Sequence, residues 1–271
     1  MSTAPATSTG IERIAQAFAQ ARASAALMPY VMGGFPTLSE SLRIAQACVH
    51  AGADVIELGV PYSDPLADGP VIHAAATRAL AAGASLAGVL EVARAVSAEV
   101  PVALMCYANM VFAPGVEAFV ERLERAGVCG LIVPDLPYGE APQVLESCDA
   151  HGLALIPLVA PTTTPARLAA IGAAARGFLY TVSVVGTTGE RRALGEDLVE
   201  TIARAKAATR VPVAIGFGIS TPEQALAAAQ AGADGVIVGT RLVRAAAESE
   251  RPAEAVGAVL GELATGLTPA R

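Results

Sequence analysis

The sequence predicts an α/β chain folded as one (β/α)8 TIM barrel, and three observations predict it. Short runs of β-branched and apolar residues alternate with longer Ala-, Leu-, Arg- and Glu-rich segments along the whole chain, the pattern of parallel strands joined by helices. One junction recurs: HAGADVIELG (50–59) and QAGADGVIVG (230–239) are near copies, and RAGVCGLIVP (125–134) and AHGLALIPLV (150–159) are looser ones. The chain has 271 residues, close to the roughly 250 of a single such barrel. No Pro/Gly/Ser-rich linker or charge block interrupts the series. The expectation is one barrel domain over 11–271 behind a frayed polar tail at 1–10, with an open doubly wound sheet as the alternative.

Strands are expected in order at 27–32, 55–59, 102–107, 130–133, 154–158, 178–183, 213–216 and 236–239. Each is short, apolar on both faces and preceded by a helical stretch, as buried parallel strands are. Each repeated junction reads as a helix end, a glycine in a left-handed cap, then a strand. The stretch LVETIARAKAAT (198–209) reads as a helix. In STPEQ (220–224), Thr221 reads as an N-cap, Pro222 as the first helical residue and Gln224 as the capping-box partner.

Composition narrows the function. A chain 54% hydrophobic and 16% charged is not a disordered one. A net charge of −7, 4% aromatics and no Trp point away from nucleic acid. The segment MSTAPATSTG has no basic and apolar leader pattern, and no long uncharged apolar run follows, so a cytoplasmic protein is expected. Cys48, Cys106, Cys129 and Cys148 form no CxxC and read as buried free thiols. His50, His73 and His151 have no metal-ligand spacing, so no metal is expected. His73 reads as a solvated helix residue. The single lysine, Lys206, lies in a helical stretch, a poor place for Schiff-base chemistry in a barrel.

Barrel chemistry sits at the C-terminal ends of the strands and in the loops after them. The second such loop, VPYSDPLADGPVIHAAA (60–76), is long and holds Asp64 and Asp68; Glu57 lies inside the strand before it. A carboxylate in a parallel strand is costly unless paired or used. If Val55 and Glu57 share one face, Ile56 and Leu58 share the other, so Glu57 points into the barrel mouth or into the helix layer. Glu57 is thus either a functional carboxylate or a structural one capping backbone N–H groups, and Asp64 and Asp68 read first as loop-capping residues. Three glycine-rich segments follow late strands: SVVGTTGERR (183–192), AIGFGISTPEQ (214–224) and VIVGTRLVR (236–244). Any one of these loops reads first as ordinary turn glycines, and three of them in these relative places, near a helix N-terminus, favour a phosphate group. Tyr30, Tyr62, Tyr107, Tyr138, Tyr180 and Phe217 all fall in or just after expected strands, which suits either strand propensity or an aromatic ligand wall. The pattern alone describes acid–base chemistry on a small organic phosphate.

The stretch ELGVPYSDPLADGPVI (57–72) resembles the signature of the tryptophan synthase alpha subunit family. The likeness continues through MCYANMVF (105–112), LIVPDLP (131–137), GTTGER (186–191), GFGIS (216–220) and VGT (238–240). The resemblance implies a lyase of tryptophan biosynthesis that cleaves indole-3-glycerol phosphate to indole and glyceraldehyde 3-phosphate. It implies Glu57 as the general acid–base and Asp68 as the carboxylate facing the indole N–H. Tyr180 would line the site, with Tyr30, Tyr107 and Phe217 as further substrate-binding residues. Gly189, Gly218, Gly239 and Thr240 would hold the phosphate. It further implies a beta-subunit partner in an α2β2 complex, faced by Pro61, Asp64 and Asn109, with pyridoxal phosphate on the partner and no cofactor on this chain. Met32 and Thr187 depart from residues common in the family and bear on substrate fit, away from the matched carboxylates. The rival readings are another phosphate-binding barrel such as a lysine-dependent synthase or an epimerase, a non-catalytic activating subunit, and a stand-alone lyase releasing free indole.

Overall fold

A computed structural model describes residues 8–182, 196–216 and 218–268. Its parallel strands are β1 (Ala26–Met32), β2 (Ile56–Gly59), β3 (Val102–Met105), β4 (Val128–Ile132), β5 (Ala154–Leu155), β6 (Leu158–Val159), β7 (Leu179–Val182), β8 (Val213–Gly216) and β9 (Gly235–Val238). They run in the spatial order β5-β4-β3-β2-β1-β9-β8-β7-β6. The expected barrel is therefore present, with the fifth strand broken in two. Pro157 has no N–H to donate, and the break falls there. The ladder still crosses it: Ile156 N donates to Leu131 O at 2.9 Å, and Tyr180 N donates to Pro157 O at 3.0 Å.

Helices fill the spaces between strands: α1 (Gly10–Gln20), α2 (Leu38–His50), α3 (Pro70–Ala81), α4 (Leu86–Val96), α5 (Ala108–Phe112), α6 (Val116–Arg125), α7 (Pro142–Ala150), α8 (Pro165–Ala174), α9 (Glu196–Ala208), α10 (Pro222–Gln230), α11 (Thr240–Glu248) and α12 (Pro252–Leu267). Their starts are written in local chemistry. Thr37 and Ser85 cap α2 and α4, and Thr9 with Glu12 forms a capping box on α1. The box expected for Thr221 and Gln224 is formed on α10, with Pro222 as its first residue. The cysteines expected to be free and buried are so. No single helix among the described residues is long and apolar enough to cross a membrane.

The repeated junctions share one geometry. Gly52, Gly127, Gly152 and Gly232 all have positive φ, as a left-handed cap requires. In the two near copies the following aspartate also pins a neighbouring strand. Asp54 Oδ2 accepts from Leu27 N at 2.8 Å, and Asp234 Oδ2 accepts from Val213 N at 2.8 Å. Each returns its own N–H, Asp54 to Leu27 O and Asp234 to Val213 O. Lys206 on α9 reaches Asp234 at 2.7 Å, so the single lysine serves the N-terminal end of the barrel, opposite the end where chemistry is expected.

Two apolar layers hold the fold. Ile56, Leu58, Leu104, Leu131 and Val236 face the helices. Met28, Val55, Ala103, Ile156, Phe178 and Ile237 fill the barrel interior, and Ile14 of α1 packs beneath them. Val55 is in the interior set, so Glu57 two residues on points inward as well.

On the outside, His151 ties α6 to the end of α7. Its Nδ1 lies 2.7 Å from Glu124 Oε2 and its Nε2 lies 2.9 Å from Glu117 Oε1. Hydrogen bonds to Glu117 and then Glu124 raise its pKa above 6.5, and Glu117 is held below 4.5 by His151 and Ser147. A raised histidine stabilises the fold below its unfolded value, and the gain disappears as pH climbs through the folded value. A lowered carboxylate stabilises above its own unfolded value, so stability from the pair is greatest between the ordinary values of 4.5 for Glu117 and 6.5 for His151. His151→Gln should lower Tm at pH 6, and the deficit against the parent should shrink by pH 9. A deficit constant with pH in thermal melts would show that charge plays no part.

Candidate active site

The inner ring of the barrel carries the site because small residues give way to large ones there. Tyr30 on β1 stands in register with Glu57 on β2, and Glu57 with Ala103 on β3. Tyr180 on β7 stands in register with Ala214 on β8. A Cβ on Gly59 would lie 2.1 Å from the Tyr30 hydroxyl, and one on Gly216 would lie 2.5 Å from the Tyr180 hydroxyl. These two glycines leave the space in which both tyrosines reach across the barrel. Gly216→Ala should therefore dislodge Tyr180, with kcat down about tenfold or more and stability down about 1–3 kcal/mol from overpacking. Steady-state rates and urea midpoints check this; normal values for both would mean that the ring finds room elsewhere.

Glu57 is 1% exposed. Burial raises its pKa from 4.5 to about 8; the Tyr180 hydroxyl, donating to its carboxyl, pulls down, and the charge of Asp68 pushes up. Its Oε2 has no hydrogen-bond partner among the described residues. A carboxyl that is neutral near pH 7 and has an uncommitted oxygen inside a barrel mouth is equipped as a proton donor. Of the two orientations that the sequence allowed, Glu57 takes the inward one, and among the described residues no backbone N–H caps that oxygen.

Asp68 lies in the loop after β2, half-buried. The Tyr107 hydroxyl donates to its Oδ1 at 2.9 Å and accepts from Ala67 N at 3.1 Å. Burial raises the Asp68 pKa, while Tyr107 and the charge of His73 lower it. His73 itself is exposed on α3, as expected of a solvated helix residue, yet its charge reaches the site. Tyr107 stacks on Tyr62 with centroids 5.1 Å apart. Tyr30 is buried; its hydroxyl lies 3.9 Å from Met32 Sδ. The five tyrosines thus divide: Tyr30 and Tyr180 are inside the barrel, Tyr62 and Tyr107 stack at its rim, and Tyr138 is exposed.

Three of the four expected phosphate residues lie at or just before the starts of two late helices. Gly218 has φ +88° three residues before Thr221, which opens the capping box of α10. Gly239 precedes α11, whose first residue is Thr240 and whose N-terminus has no side-chain cap. Gly189, Thr187 and Phe217 lie outside the described residues. Of the residues expected to face a partner, Asp64 and Asn109 are exposed and Pro61 is buried. Tyr138 after β4 is exposed as well, and sequence reasoning passed over Leu66 and Phe112, which are exposed apolar residues in the segments after β2 and β3. It also gave Asp135 no role, although the motif LIVPDLP contains it; its Oδ1 accepts from Ala108 N at 2.8 Å.

A family model described as tryptophan synthase alpha chain matches residues 16–267. A curated tryptophan synthase alpha chain from Methanosarcina mazei is 47% identical over 245 residues, 90% of each chain. One from a Synechocystis species is 48% identical over 229 residues, covering 84% of this chain and 87% of the relative. Among solved structures, a chain of Mycobacterium tuberculosis tryptophan synthase superposes with a TM-score of 0.89 at 40% identity, covering 97% of this chain and all of that one. A chain from the Pyrococcus furiosus tryptophan synthase α2β2 complex superposes with a TM-score of 0.83 at 34% identity, covering 89% of this chain and 98% of that one.

Proposed function

The chain belongs to the tryptophan synthase alpha chain family, and from that premise we propose that it is a lyase cleaving indole-3-glycerol phosphate to indole and glyceraldehyde 3-phosphate. The observation that carries this reading is the buried, inward-facing Glu57, held near pKa 8 with Tyr180 on its carboxyl and a second carboxylate, Asp68, in the adjoining loop.

The chemistry needs two proton transfers. An aryl carbon leaves an alkyl carbon only after the ring has become an electron sink. Neutral Glu57 delivers its proton to C3 of the indole, and positive charge moves to the ring nitrogen. Asp68 accepts the hydrogen bond of that N–H and stabilises the cation. Glu57, now a carboxylate, assists removal of the proton from the hydroxyl on the glycerol carbon bonded to C3. The C–C bond breaks, its electron pair restores the indole ring, and the hydroxyl-bearing carbon becomes the aldehyde of glyceraldehyde 3-phosphate. Tyr180 orients the Glu57 carboxyl, and Tyr30 and Phe217 wall the ring. The backbone at Gly218 and Gly239, with the Thr240 hydroxyl, holds the phosphate beside the helix N-termini, and the family resemblance adds Gly189 to that set. None of these steps calls on a cofactor bound to this chain.

The product partner is a beta subunit that carries pyridoxal phosphate and consumes the indole, in an α2β2 assembly working in the cytoplasm. Asp64 and Asn109 supply part of the contact surface, and Leu66 and Phe112, exposed in the same two segments, add apolar area to it; Pro61 is buried and acts through the loop that carries Asp64. The test is indole release from indole-3-glycerol phosphate by the purified chain, alone and with a beta subunit. Slow release alone and faster release with the partner is the expected result. Equal rates would favour a stand-alone lyase, and no release in either condition would remove the lyase reading.

A further inference from the structure

Three segments at the mouth of the barrel are joined by one relay. Asp135 follows β4, and its Oδ1 accepts the N–H of Ala108 at 2.8 Å. Ala108 opens α5, and the residue before it, Tyr107, offers the helix no side-chain cap. Asp135 therefore supplies, from a different segment, the acceptor that α5 lacks. Tyr107 is the residue so held. Its hydroxyl donates to Asp68 Oδ1 at 2.9 Å and accepts from Ala67 N at 3.1 Å. One carboxylate after β4 thus fixes a tyrosine after β3, which fixes a carboxylate after β2.

We propose that Asp135 is a positioning residue for the lyase reaction, acting through Tyr107 to set the place of the Asp68 carboxylate. The proposal rests on the lyase reading above and adds a residue that touches no reacting atom. A charge held a fraction of an ångström from where the ring cation forms stabilises it less, so the consequence falls on kcat and spares substrate affinity, which the phosphate residues carry. A helix cap with no further role would change stability alone.

The test is a set of variants of the full chain, assayed for indole release with a beta subunit present. Tyr107→Phe and Asp135→Ala should each lower kcat about tenfold, the size of one lost hydrogen bond to a charged group, with KM within about twofold. The double variant should be no worse than the poorer single one, because both break one relay. Asp135→Asn keeps the Oδ1 acceptor and should restore kcat to within about twofold. If Asp135→Ala does not fold, Ala108→Pro removes the same bond from the donor side. Proline is tolerated at the first helical position, and Tyr107 at φ −87° and ψ 151° already has the backbone that a following proline requires. Parental kcat in Asp135→Ala or Ala108→Pro, multiplying losses in the double variant, or Asn failing like Ala would each overturn the proposal. No indole from the parent chain would instead overturn the lyase reading, and the relay's role with it.

Discussion

Glu57→Gln should reduce indole release by at least about a thousandfold, since general acid–base groups contribute roughly 10²–10⁴ and this one residue serves both proton transfers. The amide keeps the shape and the capacity to accept from Tyr180, so KM should change little. In the parent chain the acid form is needed for the first transfer. With its pKa held near 8 by burial, the rate should fall as pH rises through that value. The same burial has an opposite consequence for the fold. A carboxyl raised from 4.5 to about 8 keeps a proton in the folded chain that the unfolded chain has released, so folding stability falls as pH rises between those values. Glutamine has no proton to release, and Tm of the variant at pH 8 should equal or exceed that of the parent. An inactive variant with raised or equal Tm is the signature of a residue kept for chemistry at the expense of stability. Retention of more than a few per cent of activity would remove Glu57 from its role, and a large drop in Tm would mark it as structural.

Much of this site was legible in the sequence because the relevant rules are local. Alternation along DVIELG sends Val55 and Glu57 to one side, and the interior packing of Val55 decides which. The glycine at each repeated junction and the Thr221–Gln224 box follow from backbone chemistry within a few residues. The long-range contacts were not legible. Tyr107 and Asp68 are 39 positions apart, and nothing in either motif says that one hydroxyl bridges them. Asp135 and Ala108 are separated by 27, as are Asp54 and Leu27, and these side-chain bonds exist only once the barrel has brought neighbouring strands together. The broken fifth strand lay between the two cases. Pro157 stood in plain view inside AHGLALIPLV, and its missing N–H was the signal that one run is two short strands.

Asp68→Asn should lower kcat/KM by about 10²–10³, the range for removing one preorganised stabiliser of transition-state charge, and should retain more activity than Glu57→Gln. Asparagine still accepts a hydrogen bond from an indole N–H, but it cannot offset the positive charge that forms on the ring. The substitution also separates two roles for this residue. The negative charge of Asp68 is one of the groups that push the Glu57 pKa upward. Removing it should let Glu57 ionise at lower pH, so the alkaline limb of the rate profile should move down from its parental place near 8. An aspartate that only anchored the loop 60–69 through Tyr107 would, when replaced by asparagine, raise KM and leave that limb where it was. A fall in kcat/KM together with a downward shift of the limb requires Asp68 and Glu57 to share one electrostatic site. The loop after β2 then does chemical work jointly with the strand it follows, and the tyrosine that holds it acts on the reaction through the same pair of carboxylates.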